Sequence, residues 1–141
     1  MRASENESET DFVIPDIPES IPQWAHNEAK PWQQLSEFDI LVRAEEISGQ
    51  TVELAYVDLP LSVWGIHVVR GNRARLCINQ ALPPLWRRFA LFHELYHLIA
   101  HPRSESFWGQ TFTPLSRFEW EADTFAWSAI LPEWLNREYE D

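Results

Sequence analysis

Three side chains in the stretch from Phe89 to His101, FALFHELYHLIAH, have the types and spacing for hydrolytic chemistry: His93, Glu94 and His97. In a helix turning about 100° per residue they stand at about 0°, 100° and 40° around the axis and share one face. Two imidazoles one turn apart can each give a nitrogen to a single Zn²⁺. A glutamate beside the first can reach over the ion and take a proton from a bound water. Leu85, Phe89, Phe92, Tyr96 and Ile99 recur at helical spacing as an apolar stripe, so this helix is buried with or without a metal. A carboxylate and two imidazoles on so apolar a helix are costly to bury without a partner, which favours a metal over two satisfied core histidines.

A hydrolytic metal site needs a third protein ligand and keeps one position open for water. Cys77 is the lone cysteine, so no thiolate site is available, and the acceptors within reach of a second helix are Glu119, Glu121 and Asp123. Glu119 and Asp123 are four apart and share a face with Ala122 and Ala126, whose small side chains permit a close approach to the first helix. Glu121 points about 200° away from Glu119. This assigns Glu119 as the ligand and Asp123 as the acceptor that fixes the tautomer of a liganding histidine. Glu121 stays open as an alternative ligand. Ser116-x-x-Glu119 also spells a capping box, a reading that fails if the helix already opens at Thr113-Pro114. His101 lies about 12 Å along the helix from His93 and about 80° around it, so it reads as a histidine at the negative end of the helix dipole. His67 reads as an exposed strand residue. Tyr139 and Arg117 are available as oxyanion donors, with nothing to raise either above a surface residue.

The elements that must position these groups can be placed from local signals. Ser36 and Gly49 bracket a helix of about 36–48 with an apolar face of Phe38, Leu41 and Val42. Thr51–Val57 alternates as a strand, with Val52, Leu54 and Tyr56 on one side. Gly65–Arg70 and Arg73–Ile78 form a hairpin about the Gly71-Asn72 turn. Ile66, Val68, Leu76 and Ile78 are expected against the helix, with His67, Val69, Arg75 and Cys77 on the opposite face. Arg73–Ile78 is the expected edge strand, free to hold an extended substrate by strand addition. Pro83-Pro84 opens the helix that carries His93, and this helix runs to about His101-Pro102. Residues 103–112 read as a loop. The next helix opens at Thr113-Pro114 and stops at Pro132, with a short terminal helix over Glu133–Tyr139. The fold class is α+β: a small three-stranded antiparallel or mixed sheet packed on a central H-E-x-x-H helix with flanking helices.

The 141 residues suit one domain with a real core, expected over 36–141, behind an acidic, proline-containing and partly disordered N-terminal segment, 1–35. The apolar Phe12, Val13, Ile14, Ile17, Ile21, Trp24 and Trp32 suit a segment that lies across the domain or docks a partner. Acidic residues outnumber basic ones 22 to 11, a net charge of −11 that argues against direct contact with nucleic acid and favours a basic protein partner. A single cysteine, no apolar leader and no unbroken apolar run place the chain in the cytoplasm, away from membranes.

These residues resemble the ImmA/IrrE family of metallopeptidases. The likeness spans about Phe38–Glu133 and rests on Ala81-Leu82-Pro83-Pro84, on Arg87-Arg88-Phe89-Ala90-Leu91-Phe92-His93-Glu94-Leu95-Tyr96-His97-Leu98-Ile99-Ala100-His101, and on Glu119-x-x-Ala122-Asp123-x-Phe125-Ala126 ending at Leu131-Pro132. The resemblance implies a gluzincin-like fold, a Zn²⁺ or Mn²⁺ site on His93, His97 and Glu119, and Glu94 as catalytic base. It also implies a narrow substrate class, helix-turn-helix repressors cut to relieve repression. Tyr96 stands where the family most often has glycine, on the far side of the helix from Glu94. Two alternatives remain at this stage: a metal-containing binding module that controls a regulator without cutting it, and a toxin or effector acting by contact.

Overall fold

The computed structural model describes residues 14–100, 107–110 and 117–137. Residues 1–13, His101 and the Thr113-Pro114 start signal lie outside the described residues, as does Tyr139.

The chain enters through helix α1 (Gln23–Ala29) and a 3₁₀ turn at Lys30–Trp32. Ala25, Ala29 and Trp32 are buried, and Arg43 stacks over the Trp32 ring. Helix α2 (Glu37–Ser48) follows as the flanking residues dictate. The Ser36 hydroxyl accepts from the Asp39 amide at 3.1 Å, and Gly49 ends the helix in the left-handed conformation at φ 72°. The face buried by α2 is Ile40 and Ala44, with Leu41 beside them. Phe38 is 73% exposed and Val42 is also exposed, which corrects the apolar face expected from their hydrophobicity. Phe38 is two positions from Ile40, about 200° around the helix, so burying one leaves the other to solvent.

Three strands follow: β1 (Thr51–Val57), β2 (Gly65–Arg70) and β3 (Arg73–Asn79). A fourth, β4 (Phe107–Gln110), forms within the stretch read as a loop. The sheet is mixed, in the order β1-β3-β2-β4, with β1 parallel to β3 and the other pairs antiparallel. Two expectations need correction. Strand β3 is interior, not an edge, because its outer side pairs in parallel with β1; the edges are β1 and β4. The side-chain phase of β2 is also the reverse of that expected. A two-residue turn pairs Arg70 with Arg73, so the residue opposite Leu76 is His67, and Gly65 lies opposite Ile78. Gly65, His67 and Val69 therefore join Ala74, Leu76 and Ile78 on the buried face, while Ile66 and Val68 face the other side. Fully buried Asn79 ends β3: its amide nitrogen donates to the carbonyls of Leu59, Pro60 and Val63, and its oxygen accepts from the Ala81 amide. One side chain thus shapes both the loop into β2 and the turn into the next helix.

Helix α3 (Pro84–Ala100) opens at the proline, as expected, and is buried from Phe89 to Leu98. It lies between the sheet and helix α4 (Arg117–Asn136), which packs along it. Ala122 and Ala126 are fully buried at that contact, with Phe125 set edge-on to Phe92. Trp64, Trp86, Phe89, Trp127 and Trp134 form a second cluster with ring centroids 5.1–6.0 Å apart, mostly edge-to-face.

Helix α4 does not stop at Pro132, and the separate helix expected over Glu133–Tyr139 is instead its continuation to Asn136. Proline at this position removes the amide that would bond the Ser128 carbonyl. The Gln33 side chain, just after the 3₁₀ turn, supplies the missing donor, its Nε2 lying 2.8 Å from that carbonyl. Among the described residues no helix is long and apolar enough to cross a membrane.

Candidate metal centre

The site is built where α3, α4 and β2 meet. Helix α3 contributes His93, Glu94 and His97, all buried. Helix α4 contributes Glu119 and Asp123 from the face that also carries Ala122 and Ala126, so the alanines set the helix separation and the carboxylates bridge it. The Glu119 carboxylate spans both imidazoles, with Oε1 2.8 Å from His93 Nε2 and Oε2 3.1 Å from His97 Nε2. One ligand atom from each of His93, His97 and Glu119 lies within 4.8 Å of the others. Asp123 Oδ1 sits 2.7 Å from the opposite ring nitrogen of His93, Nδ1, which leaves Nε2 directed into the cluster.

These residues fit a small divalent cation. Two imidazole nitrogens and one carboxylate oxygen are a donor set suited to zinc, and a carboxylate behind a liganding histidine is the usual support for its orientation. The electrostatics favour a cation too. Burial alone would lower the His93 pKa, but Asp123, Glu119 and the nearby charge of Glu94 outweigh it and push the imidazole up to about 10. Burial acts in the opposite sense on Glu119, and its hydrogen bonds to His93 and His97 prevail, holding the carboxyl down to about 2. Positive charge is therefore strongly stabilised between these carboxylates.

The sequence-derived residues sort clearly. His93, His97 and Glu119 converge, Asp123 backs His93, and Glu94 stands beside them. Glu121 is outside the group; its charge is felt by Tyr96, whose phenol is pushed up to about 12 chiefly by burial. Tyr96 packs against Phe125 and Trp24 at centroid distances of 5.0 and 6.1 Å, so it fills the space between α3, α4 and α1. His67 is the residue that the sequence reading missed. It is 3% exposed, its Nδ1 is hydrogen-bonded to Glu94 Oε1, and its ring stacks on His97 at 5.0 Å and 18°. The signal lay in the hairpin turn, whose length fixes which face His67 takes.

Residues 35–139 match the peptidase M78 family, described as the IrrE N-terminal-like domain. The chain belongs to this family. M78 membership brings a metallopeptidase-like function, and a metal with it, to a structure whose His-His-Glu cluster could hold one. The chain is also similar to "Uncharacterized immunity region protein 2" of Bacillus phage phi105, at 26% identity over 110 residues, covering 72% of this chain and 70% of the phage protein. No solved structure matches it.

Proposed function

We propose that this M78 protein is a zinc-dependent endopeptidase of narrow specificity that cleaves a helix-turn-helix transcriptional repressor and so relieves repression. The observation that carries this reading is the convergence of His93, His97 and Glu119 on one point, with Glu94 in the adjoining position of the same helix. His93 and His97 would hold the ion through Nε2 and Glu119 through its carboxylate; Mn²⁺ is the alternative to Zn²⁺. Asp123 holds Nδ1 of His93 and keeps its Nε2 aimed inward. The ion, when bound, acidifies a water and polarises the scissile carbonyl. Glu94 accepts a proton on its carboxylate and delivers it to the departing amine.

The substrate class is supported from two directions. The similar phage protein carries an immunity-region name, which suits a function in regulating a mobile element. A net charge of −11 suits capture of a basic surface, and a DNA-binding repressor has one because it must contact phosphates. In this reading the protein acts in the cytoplasm on another protein, without touching nucleic acid or membrane itself. The test is co-expression with a helix-turn-helix protein encoded beside it, using wild type and Glu94→Gln. Wild type should remove the intact repressor band. Glu94→Gln should keep its metal and lose about 10²–10⁴ in rate, the usual contribution of an acid–base group. Equal cleavage by the two would refute Glu94 as the base, and persistence of every candidate repressor would refute the substrate class.

A further inference from the structure

The pairing of β2 with Glu94 has a purpose that the metal cluster does not explain. Alternate residues of a strand face the same way, so Gly65 and His67 both point at α3, where they meet a glutamate that is 0% exposed. We infer that Gly65 and His67 are positioning residues that clamp the carboxylate of Glu94 in one orientation. This inference rests on the reading of Glu94 as the base.

The clamp has two jaws. On one side, His67 Nδ1 is hydrogen-bonded to Glu94 Oε1, and the plane of the imidazole is fixed by stacking on His97. On the other, the backbone of Gly65 lies against the rest of the side chain. A Cβ added there would fall 2.9 Å from Glu94 Cγ, 3.0 Å from Oε2 and 3.2 Å from Cδ. Those distances are shorter than packed carbons tolerate. Glu94 is fully buried, so it cannot swing into solvent to relieve them. Glycine at position 65 is thus demanded by close approach. The strand that forms the clamp is itself rigid, bonded to β3 on one side and to β4 on the other.

The energetic logic favours such a device. A free glutamate side chain samples several staggered rotamers, and ordering it costs entropy at the moment of reaction. A base must be held within about 0.5 Å of its productive position by groups whose own geometry is locked. Helix α3 fixes only the Cα–Cβ direction of Glu94; the two residues of β2 constrain the carboxylate beyond it. The same residues link catalysis to the sheet, since any shift of β2 relative to α3 moves the carboxylate.

The first test is spectroscopic and needs no substrate. In long-range ¹H–¹⁵N spectra of the metal-free and zinc-loaded protein, His67 should carry its proton on Nδ1 in both states, with a strongly downfield proton that moves back in Glu94→Gln. A His67 signal indifferent to Glu94→Gln would overturn the inference. The second test measures acetohydroxamate binding to the zinc-loaded protein, because the hydroxyl of a hydroxamate on the metal hydrogen-bonds to a base placed above it. His67→Leu and Gly65→Ala should bind acetohydroxamate at least about tenfold more weakly at unchanged zinc content, within the 10–100-fold range typical of residues that orient a metal site. His67→Asn places an amide N–H where Nδ1–H stood and should stay within about threefold of wild type. Wild-type affinity in both His67→Leu and Gly65→Ala, or equal loss in His67→Asn and His67→Leu, would overturn it. Should His67→Leu fail to fold, the spectra of the unmutated protein and of Glu94→Gln decide. Failure of repressor cleavage would leave both tests unaffected, and a protein that took up no zinc would still report the His67–Glu94 bond in its metal-free spectrum.

Discussion

The amide of Gln33 and the ring of Pro132 form a pair whose energy can be isolated. Pro132 deprives the Ser128 carbonyl of its helical donor, Ser128 is fully buried, and Gln33 Nε2 takes over at 2.8 Å. Gln33→Ala leaves that carbonyl without either donor. A buried polar group stripped of its partner costs about 1–3 kcal/mol, so Gln33→Ala should lose about that much stability. Pro132→Ala returns a backbone amide at the right place in the helix. In that background Gln33→Ala should cost well under about 1 kcal/mol, and the double-mutant cycle should show a coupling of about 1–2 kcal/mol. Urea denaturation of the four proteins measures this directly, the midpoints moving at constant m. In thermal melts each kcal/mol corresponds to roughly 2–4 °C for a chain near this size. Additivity of the two changes within about 0.5 kcal/mol would refute the reasoning and show that Gln33 does not replace the donor that Pro132 removes. Zinc uptake should be the same in all four, because the break lies beyond Asp123 on the far side from Glu119.

The purified protein should carry about one divalent ion per chain by elemental analysis; His93→Ala and His97→Ala should each abolish tight binding, and full retention in Glu119→Ala with loss in Glu121→Ala would move the third ligand. Asp123→Asn should weaken zinc about 10–100-fold in a chelator competition, since Asp123 orients His93 without joining the ligand set. Burial first, then its hydrogen bond to Glu37, raise the Tyr56 pKa above its ordinary value of 10. The folded state thus keeps this proton longer than the unfolded one, so its contribution to stability is complete below pH 10 and declines as pH rises beyond it. Denaturation midpoints between pH 9 and 11 should fall less steeply in Tyr56→Phe than in wild type, and parallel curves would refute the assignment.

What could be read from the chain was what is local. Helix α3 was legible because its apolar stripe, its polar face and its opening prolines all lie within a few turns of one another. Glu119 and Asp123 were legible as a pair because helical periodicity puts them beside Ala122 and Ala126. His67 was misread by weighing side chains one at a time. Ile66 and Val68 are the more apolar pair, yet the length of the Gly71-Asn72 turn decides the register and turns them outward. The position of β3 inside the sheet was not legible at all, since it depends on β3 coming back after β2 to lie between β2 and β1 and pair in parallel with β1. Continuation of α4 through Pro132 was hidden for a similar reason: the donor that permits it stands at Gln33, remote in sequence.

The family match and the packed body of the protein begin at different places in this chain. Likeness to the family starts at residue 35, whereas Ala25, Ala29, Trp32 and Gln33 are already seated on the body of the protein. The segment ahead of the shared region therefore works as a splint for the helix that carries Glu119 and Asp123. Because the fastening needs both of its points, the two are coupled even where the rest of the splint differs. Proline in the last third of α4 and an amide-bearing side chain ahead of α2 should be gained and lost together, as one evolutionary character written at two ends of the chain.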